Sequence, residues 1–161
     1  MAFIIGKCAF MKNSMHVART ISYLERQSAL FSDSGELNFE QAYQSYIDAS
    51  PPRVWHHIIS LSAEDAQRLN VDREYMKQLL CVEQSRIAEA YTTVSINMRT
   101  VASWHEKDHH PHLHLLFYST DRREGGVWAH TDQEAKVKLN DASEKVKSLF
   151  ANRIFTDDLA P

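Results

Sequence analysis

The sequence predicts an α+β fold in which a mainly antiparallel β-sheet is covered by helices. Apolar residues alternate with a period of two near the start of the chain and over residues 112–118, and they recur at helical spacing between. The resulting order is strand, helix, strand, helix, strand, strand, helix, and the short loop between the last two strands reads as an antiparallel pair. The 161 residues, 43% hydrophobic and 24% charged, suit one domain over residues 1–161 with a core of its own.

Each element has its own signal. Ile4, Cys8 and Phe10 form the inward face of an opening strand. Ser14 is placed to cap the next helix, whose Val17, Ile21 and Leu24 recur at helical spacing to about Leu30, before residues 32–35 (Ser-Asp-Ser-Gly) break the chain. A short helix over residues 39–47 is ended by Pro51-Pro52, since proline disfavours helical geometry in the residue before it. Residues 54–61 read as a well-buried strand, Ser62 opens a short capped stretch, and a break near Asn70 follows. Asp72 then caps a long helix with Met76, Leu80, Ile87 and Tyr91 on one face. Residues 92–104, rich in β-branched side chains, and residues 112–118 are two strands joined by a loop over 106–111. A surface helix closes the chain over residues 132–150, with Val137, Ala142, Val146 and Leu149 in register.

Composition excludes several classes. No apolar run reaches the roughly 18 residues that span a bilayer, and the first residues lack the layout of a signal peptide, so a cytoplasmic protein without membrane insertion is expected. Cys8 and Cys81 lack CxxC spacing and are expected to be core thiols. A net charge of -3 gives no general attraction to nucleic acid, so any phosphate contact must come from a local cationic surface.

The chemistry concentrates in residues 105–114, which hold five of the nine histidines. On a strand, residues two apart share a face about 7 Å apart, so His112 and His114 can tilt toward one point. A hairpin brings His105 back beside them, and three imidazoles leave positions of a metal ion open for substrate. Leu113, Leu115 and Phe117 then face the core. His109 and His110 are assigned to the solvated turn, and Glu106 is the alternative ligand. His56 and His57 lie on an earlier strand and point to opposite faces, so that one of them can support the site.

Two motifs carry a resemblance. His105-Glu106-Lys107-Asp108-His109-His110-Pro111-His112-Leu113-His114 resembles the three-histidine metal motif of the conjugative and mobilisation relaxases, members of the HUH endonuclease superfamily, most of all the MobA/MobL type. Ala18-Arg19-Thr20-Ile21-Ser22-Tyr23-Leu24-Glu25-Arg26 is similar to their early tyrosine motif, and the strand at 55–62 resembles their core strand. The resemblance implies an HUH-type fold and metal-dependent nicking and strand transfer of single-stranded DNA at a plasmid origin of transfer, with auxiliary mobilisation proteins as further partners. It assigns His105, His112 and His114 to a divalent ion, Mn2+ or Mg2+, with Zn2+, Ni2+ or Co2+ as alternatives. Tyr23 becomes the nucleophile that forms a 5′-phosphotyrosine intermediate. Tyrosine, with a reference pKa of about 10, is phenolate to only about a thousandth at neutral pH. His56, His57 and Arg26 are therefore candidates for activating Tyr23, while Tyr43 and Tyr46 are the alternative nucleophiles.

Lys7, Lys12, Arg19 and Arg26 make the first part of the chain locally basic and are the candidate DNA contacts. Arg53, Arg99, Arg122 and Arg123 extend that set, and Trp55 or Trp128 could stack on bases. The family's relaxase region is commonly larger, so this chain is expected to be a trimmed or minimal version. Two other classes share these residues. An HUH-type replication initiator or transposase generally carries its tyrosine late, whereas Tyr23 is early; a non-catalytic metal- or DNA-binding module needs no nucleophile.

Overall fold

In the computed structural model the chain runs β1 (Ile5–Met11), α1 (Ser14–Gln27), β2 (Leu30–Ser32), β3 (Gly35–Leu37), α2 (Phe39–Ala49), β4 (Val54–Ser60), α3 (Ala63–Arg68), α4 (Arg73–Ala90), a 3₁₀ turn (Ser95–Asn97), β5 (Met98–His105), β6 (His112–Ser119) and α5 (Asp132–Ile154). Residues 5–11, 13–106, 110–124 and 132–156 are described, without the side chains of 5–10, 132 and 134–136. The strands form one six-stranded sheet in the order β1-β4-β6-β5-β2-β3, and every neighbouring pair is antiparallel. The expected α+β class, helices over an antiparallel sheet, is what the chain adopts. Among the described residues no helix is long and apolar enough to cross a membrane.

Strand alternation sorts the sheet into two faces. On one, Trp55, Ile59, Ala102, Trp104, Leu113, Leu115 and Phe117 are buried with Met76, Leu80, Ile87 and Tyr91 of α4 and Val146, Phe150 and Ile154 of α5. On the other, Val54, Val101, Leu116 and Tyr118 are buried with Val17, Ile21 and Leu24 of α1 and Ala42 and Tyr46 of α2. Each large apolar side chain so buried contributes about 1.5–3 kcal/mol. His112 and His114 continue the row of Leu116 and Tyr118 along β6 on this second face.

Several expectations are corrected. Residues 30–37 form a small hairpin where helix and chain break were expected; Phe31 pairs with Ala102, Asp33 N donates to Thr100 Oγ1 at 2.9 Å, and Arg73 and Lys77 hold Glu36. The cap of α1 is Asn13, whose side chain accepts from Met15 N at 2.8 Å and His16 N at 3.2 Å, rather than Ser14. The strand expected from residue 92 starts at Met98, after the 3₁₀ turn. Cys81 is exposed, because the buried positions of α4 are Met76, Leu79, Leu80, Glu83, Gln84, Ile87 and Ala88; the side chain of Cys8 lies outside the described residues. Val137 points to solvent while Leu139, Ala142, Val146 and Phe150 turn inward. Ser62 and Asp72 cap α3 and α4 as expected, through Asp65 N and Tyr75 N.

His57 belongs to the α4 face. Its Nε2 lies 2.6 Å from the Tyr91 hydroxyl and its ring stacks on Phe117 at 5.4 Å. Burial, with His56 adding to it, pushes its pKa from the ordinary 6.5 down to about 3. The unfolded chain takes up this proton near pH 6.5 and the folded one does not, so the associated stability is present above that pH and is lost as the pH falls toward about 3. Urea midpoints measured between pH 7 and 4 should therefore fall with acid, and His57→Gln, which keeps a polar partner for Tyr91 without titrating, should flatten the slope. An unchanged slope in that variant would remove His57 from the account.

Candidate metal centre

Two cross-strand pairs build the centre. In the β5–β6 register His105 lies opposite His112, and Ser103 lies opposite His114. Residues paired across a sheet share its face, so three imidazoles from two strands meet at one place. Their ring centroids are 4.7 Å (His105–His114), 4.9 Å (His105–His112) and 4.9 Å (His112–His114) apart, and one nitrogen from each lies within 4.8 Å of the others. Zinc-type bonds of about 2.0–2.1 Å in a tetrahedron set ligand nitrogens about 3.4 Å apart. Side-chain rotations that close the cluster by up to about 1.4 Å reach that spacing, and the donor set fits a divalent transition ion.

Each histidine has a hydrogen-bond partner through one ring nitrogen. His112 Nδ1 donates to the carbonyl of His110 at 3.0 Å, which makes Nε2 its basic nitrogen. His114 Nδ1 lies 2.9 Å from His56 Nε2, and His105 Nε2 lies 3.0 Å from Ser103 Oγ. Such partners orient a ligand and fix its tautomer. Burial first, then the neighbouring imidazoles, brings the pKa of His114 to about 3. Burial, then His16 on α1, brings that of His56 to about 4. Both rings are neutral at physiological pH, the form in which imidazole binds metal.

Tyr23 stands beside this cluster. Its ring meets that of His105 edge-on at 6.5 Å, and 48% of the residue is exposed, so it is not the core aromatic that its place on α1 would otherwise suggest. Arg19 and Arg26 are exposed on the same helix. Lys7 occupies a register position opposite Ile58, itself opposite His114; its side chain, like the whole of Lys12, His109 and Trp128, lies outside the described residues.

The remaining candidates fall elsewhere. His57 faces away, so of the two β4 histidines His56 supports the cluster. Tyr43 and Tyr46 meet along α2 with their rings tilted by 35°, and Tyr46 is only 5% exposed against Tyr118, a setting that suits packing. Trp55 is 2% exposed, which removes it as a platform for bases. Glu106 accepts from Trp104 Nε1 at 2.9 Å. A groove of about 600 Å³ between α4 and α5, lined by Glu83, Arg86, Lys145 and Arg153, opens on the opposite side of the sheet. Ser103 escaped sequence reading, although the period of two that joins His112 to His114 also joins Ser103 to His105.

Titration calorimetry should show Mn2+, Co2+, Ni2+ or Zn2+ binding more tightly than Mg2+. His112→Ala and His114→Ala should each abolish most Mn2+ binding while the circular dichroism spectrum is kept; wild-type affinity in both would dismiss the site. The chain matches no protein-family model, no curated protein and no solved structure, so the functional reading rests on the geometry of the histidine centre and its tyrosine.

Proposed function

We propose that this chain is an HUH-type, relaxase-like enzyme that nicks single-stranded DNA at a plasmid origin of transfer and transfers the strand through a phosphotyrosine intermediate. The observation that carries the reading is the half-exposed Tyr23 at the edge of a three-histidine cluster, 6.5 Å from His105 between ring centroids. A divalent ion held by His105, His112 and His114 would supply Lewis-acid neutralisation of a non-bridging phosphate oxygen. Tyr23 Oη attacks the phosphorus in line with the 3′ oxygen, its bond to phosphorus forming as the P–O3′ bond breaks. The phenolic proton passes from Oη of the half-exposed Tyr23 to solvent and the departing 3′ oxygen takes a proton from solvent, so the step is proton-neutral. The products are a 5′-phosphotyrosine ester and a free 3′-hydroxyl, so the ester bond is conserved for rejoining.

Arg19 and Arg26, four residues before and three after Tyr23, lie on the same side of α1 as the tyrosine and can hold phosphates flanking the scissile one. A second reading is a non-catalytic metal-binding module, which the net charge of -3 suits because it gives no general attraction to nucleic acid.

Incubated with labelled single-stranded origin DNA and Mn2+, the wild type should form a covalent adduct that survives denaturing electrophoresis. Tyr23→Phe keeps nearly the same volume and should retain Mn2+ and DNA binding but form no adduct. Adduct at the wild-type rate in that variant would reject Tyr23 as the nucleophile. Failure of the wild type on origin sequences would leave the binding module. DNA affinity should fall with salt, and Arg19→Ala and Arg26→Ala should each lower the logarithmic salt slope by about 0.7.

A further inference from the structure

Ser103 is fully buried within β5, on the histidine face. Its Oγ lies 3.2 Å from the carbonyl oxygen of Leu24, 3.2 Å from that of Ser28 and 3.0 Å from His105 Nε2. Carbonyls only accept. The single hydroxyl proton is thus directed to the end of α1, and the oxygen's lone pair accepts Nε2–H from His105. This makes Nδ1 the basic nitrogen of His105. His112 is set the opposite way by the His110 carbonyl, and His114 meets His56 through Nδ1, so for these two the nitrogen outside the supporting bond is Nε2.

We propose that Ser103 is a positioning residue of the metal centre. It makes His105 coordinate through Nδ1 while His112 and His114 coordinate through Nε2, and it ties that ligand to the last turn of the helix that carries Tyr23. The inference rests on the metal-site reading above. The Leu24 carbonyl that Ser103 holds also accepts Ser28 N at 3.0 Å, the bond that closes α1, and Leu24 follows Tyr23 directly. Movement of His105 toward an ion is therefore transmitted through one hydroxyl to the backbone beside the tyrosine.

Long-range proton–nitrogen correlation spectra of the metal-free wild type test the tautomers. His105 should carry its proton on Nε2 and His112 on Nδ1; a proton on His105 Nδ1 overturns the proposal, even if no variant folds. On addition of Zn2+, the resonance of His105 Nδ1 should move as the coordinated nitrogen, and coordination through Nε2 overturns it equally. Ser103→Ala should weaken Mn2+ binding about 10–100-fold, whereas Ser103→Thr, which keeps the hydroxyl, should stay within about threefold of the wild type. If the wild type binds Mn2+ and Ser103→Ala binds it as tightly, the metal reading stands and this proposal alone falls. If the wild type binds no ion, the metal reading falls and takes the proposal with it.

Discussion

The pairing of β5 with β6 is the constraint on which the histidine centre depends. One register sets His105 against His112 and Ser103 against His114. Because successive side chains alternate between faces, a slip of one residue along β6 would turn His112 and His114 into the α4–α5 core and expose Leu113 and Leu115 where the imidazoles stand. The register is held from the other side of the sheet. Trp55, Trp104, Leu113, Leu115 and Phe117 are each no more than 3% exposed. At about 1.5–3 kcal/mol for each such side chain, the apolar face decides where the imidazoles go. The chemistry is positioned by residues that take no part in it.

Burial then determines the state in which those imidazoles are kept. His56 and His57 are sequence neighbours, both with pKa values pushed down chiefly by burial, yet strand alternation gives them different uses. His57 is bonded to Tyr91 and stacked on Phe117 within the core, where a neutral ring serves packing and one hydrogen bond. His56 meets His114, where burial keeps both rings neutral and the hydrogen bond orients His114. The same desolvation that costs acid stability on one face keeps imidazoles on the other in the neutral form that can bind metal.

Much of this was legible in the sequence. The alternation around His112 and His114, the helical spacing of Val17, Ile21 and Leu24, and the Ser62 and Asp72 caps are local signals, and the structure realises them locally. The β2–β3 hairpin was not legible, because three-residue strands are too short to display a period and are held by distant partners, Ala102, Thr100, Arg73 and Lys77. Trp55 looked available for stacking because a single sequence does not show which face of a strand a second helix will cover. Ser103 carries little sequence signal for a related reason: serine on a strand is common, and only the approach of α1 gives its hydroxyl two carbonyls to bond.

The overall acidity of the chain and its proposed anionic substrate are reconciled by where the charges are engaged. Arg73 and Lys77 bind Glu36, Arg68 binds Asp65, Arg123 binds Asp121, and Arg86 and Arg153 flank Glu83. These cations are largely neutralised where they stand. Among the described residues, Arg19 and Arg26 join no ion pair, and both are exposed on α1 beside Tyr23. At physiological ionic strength charges more than about 8 Å away are largely screened. The proposed phosphate at Tyr23 would be governed by these two guanidinium groups and by an ion on the histidines, far more than by a net charge of -3 spread over the whole surface.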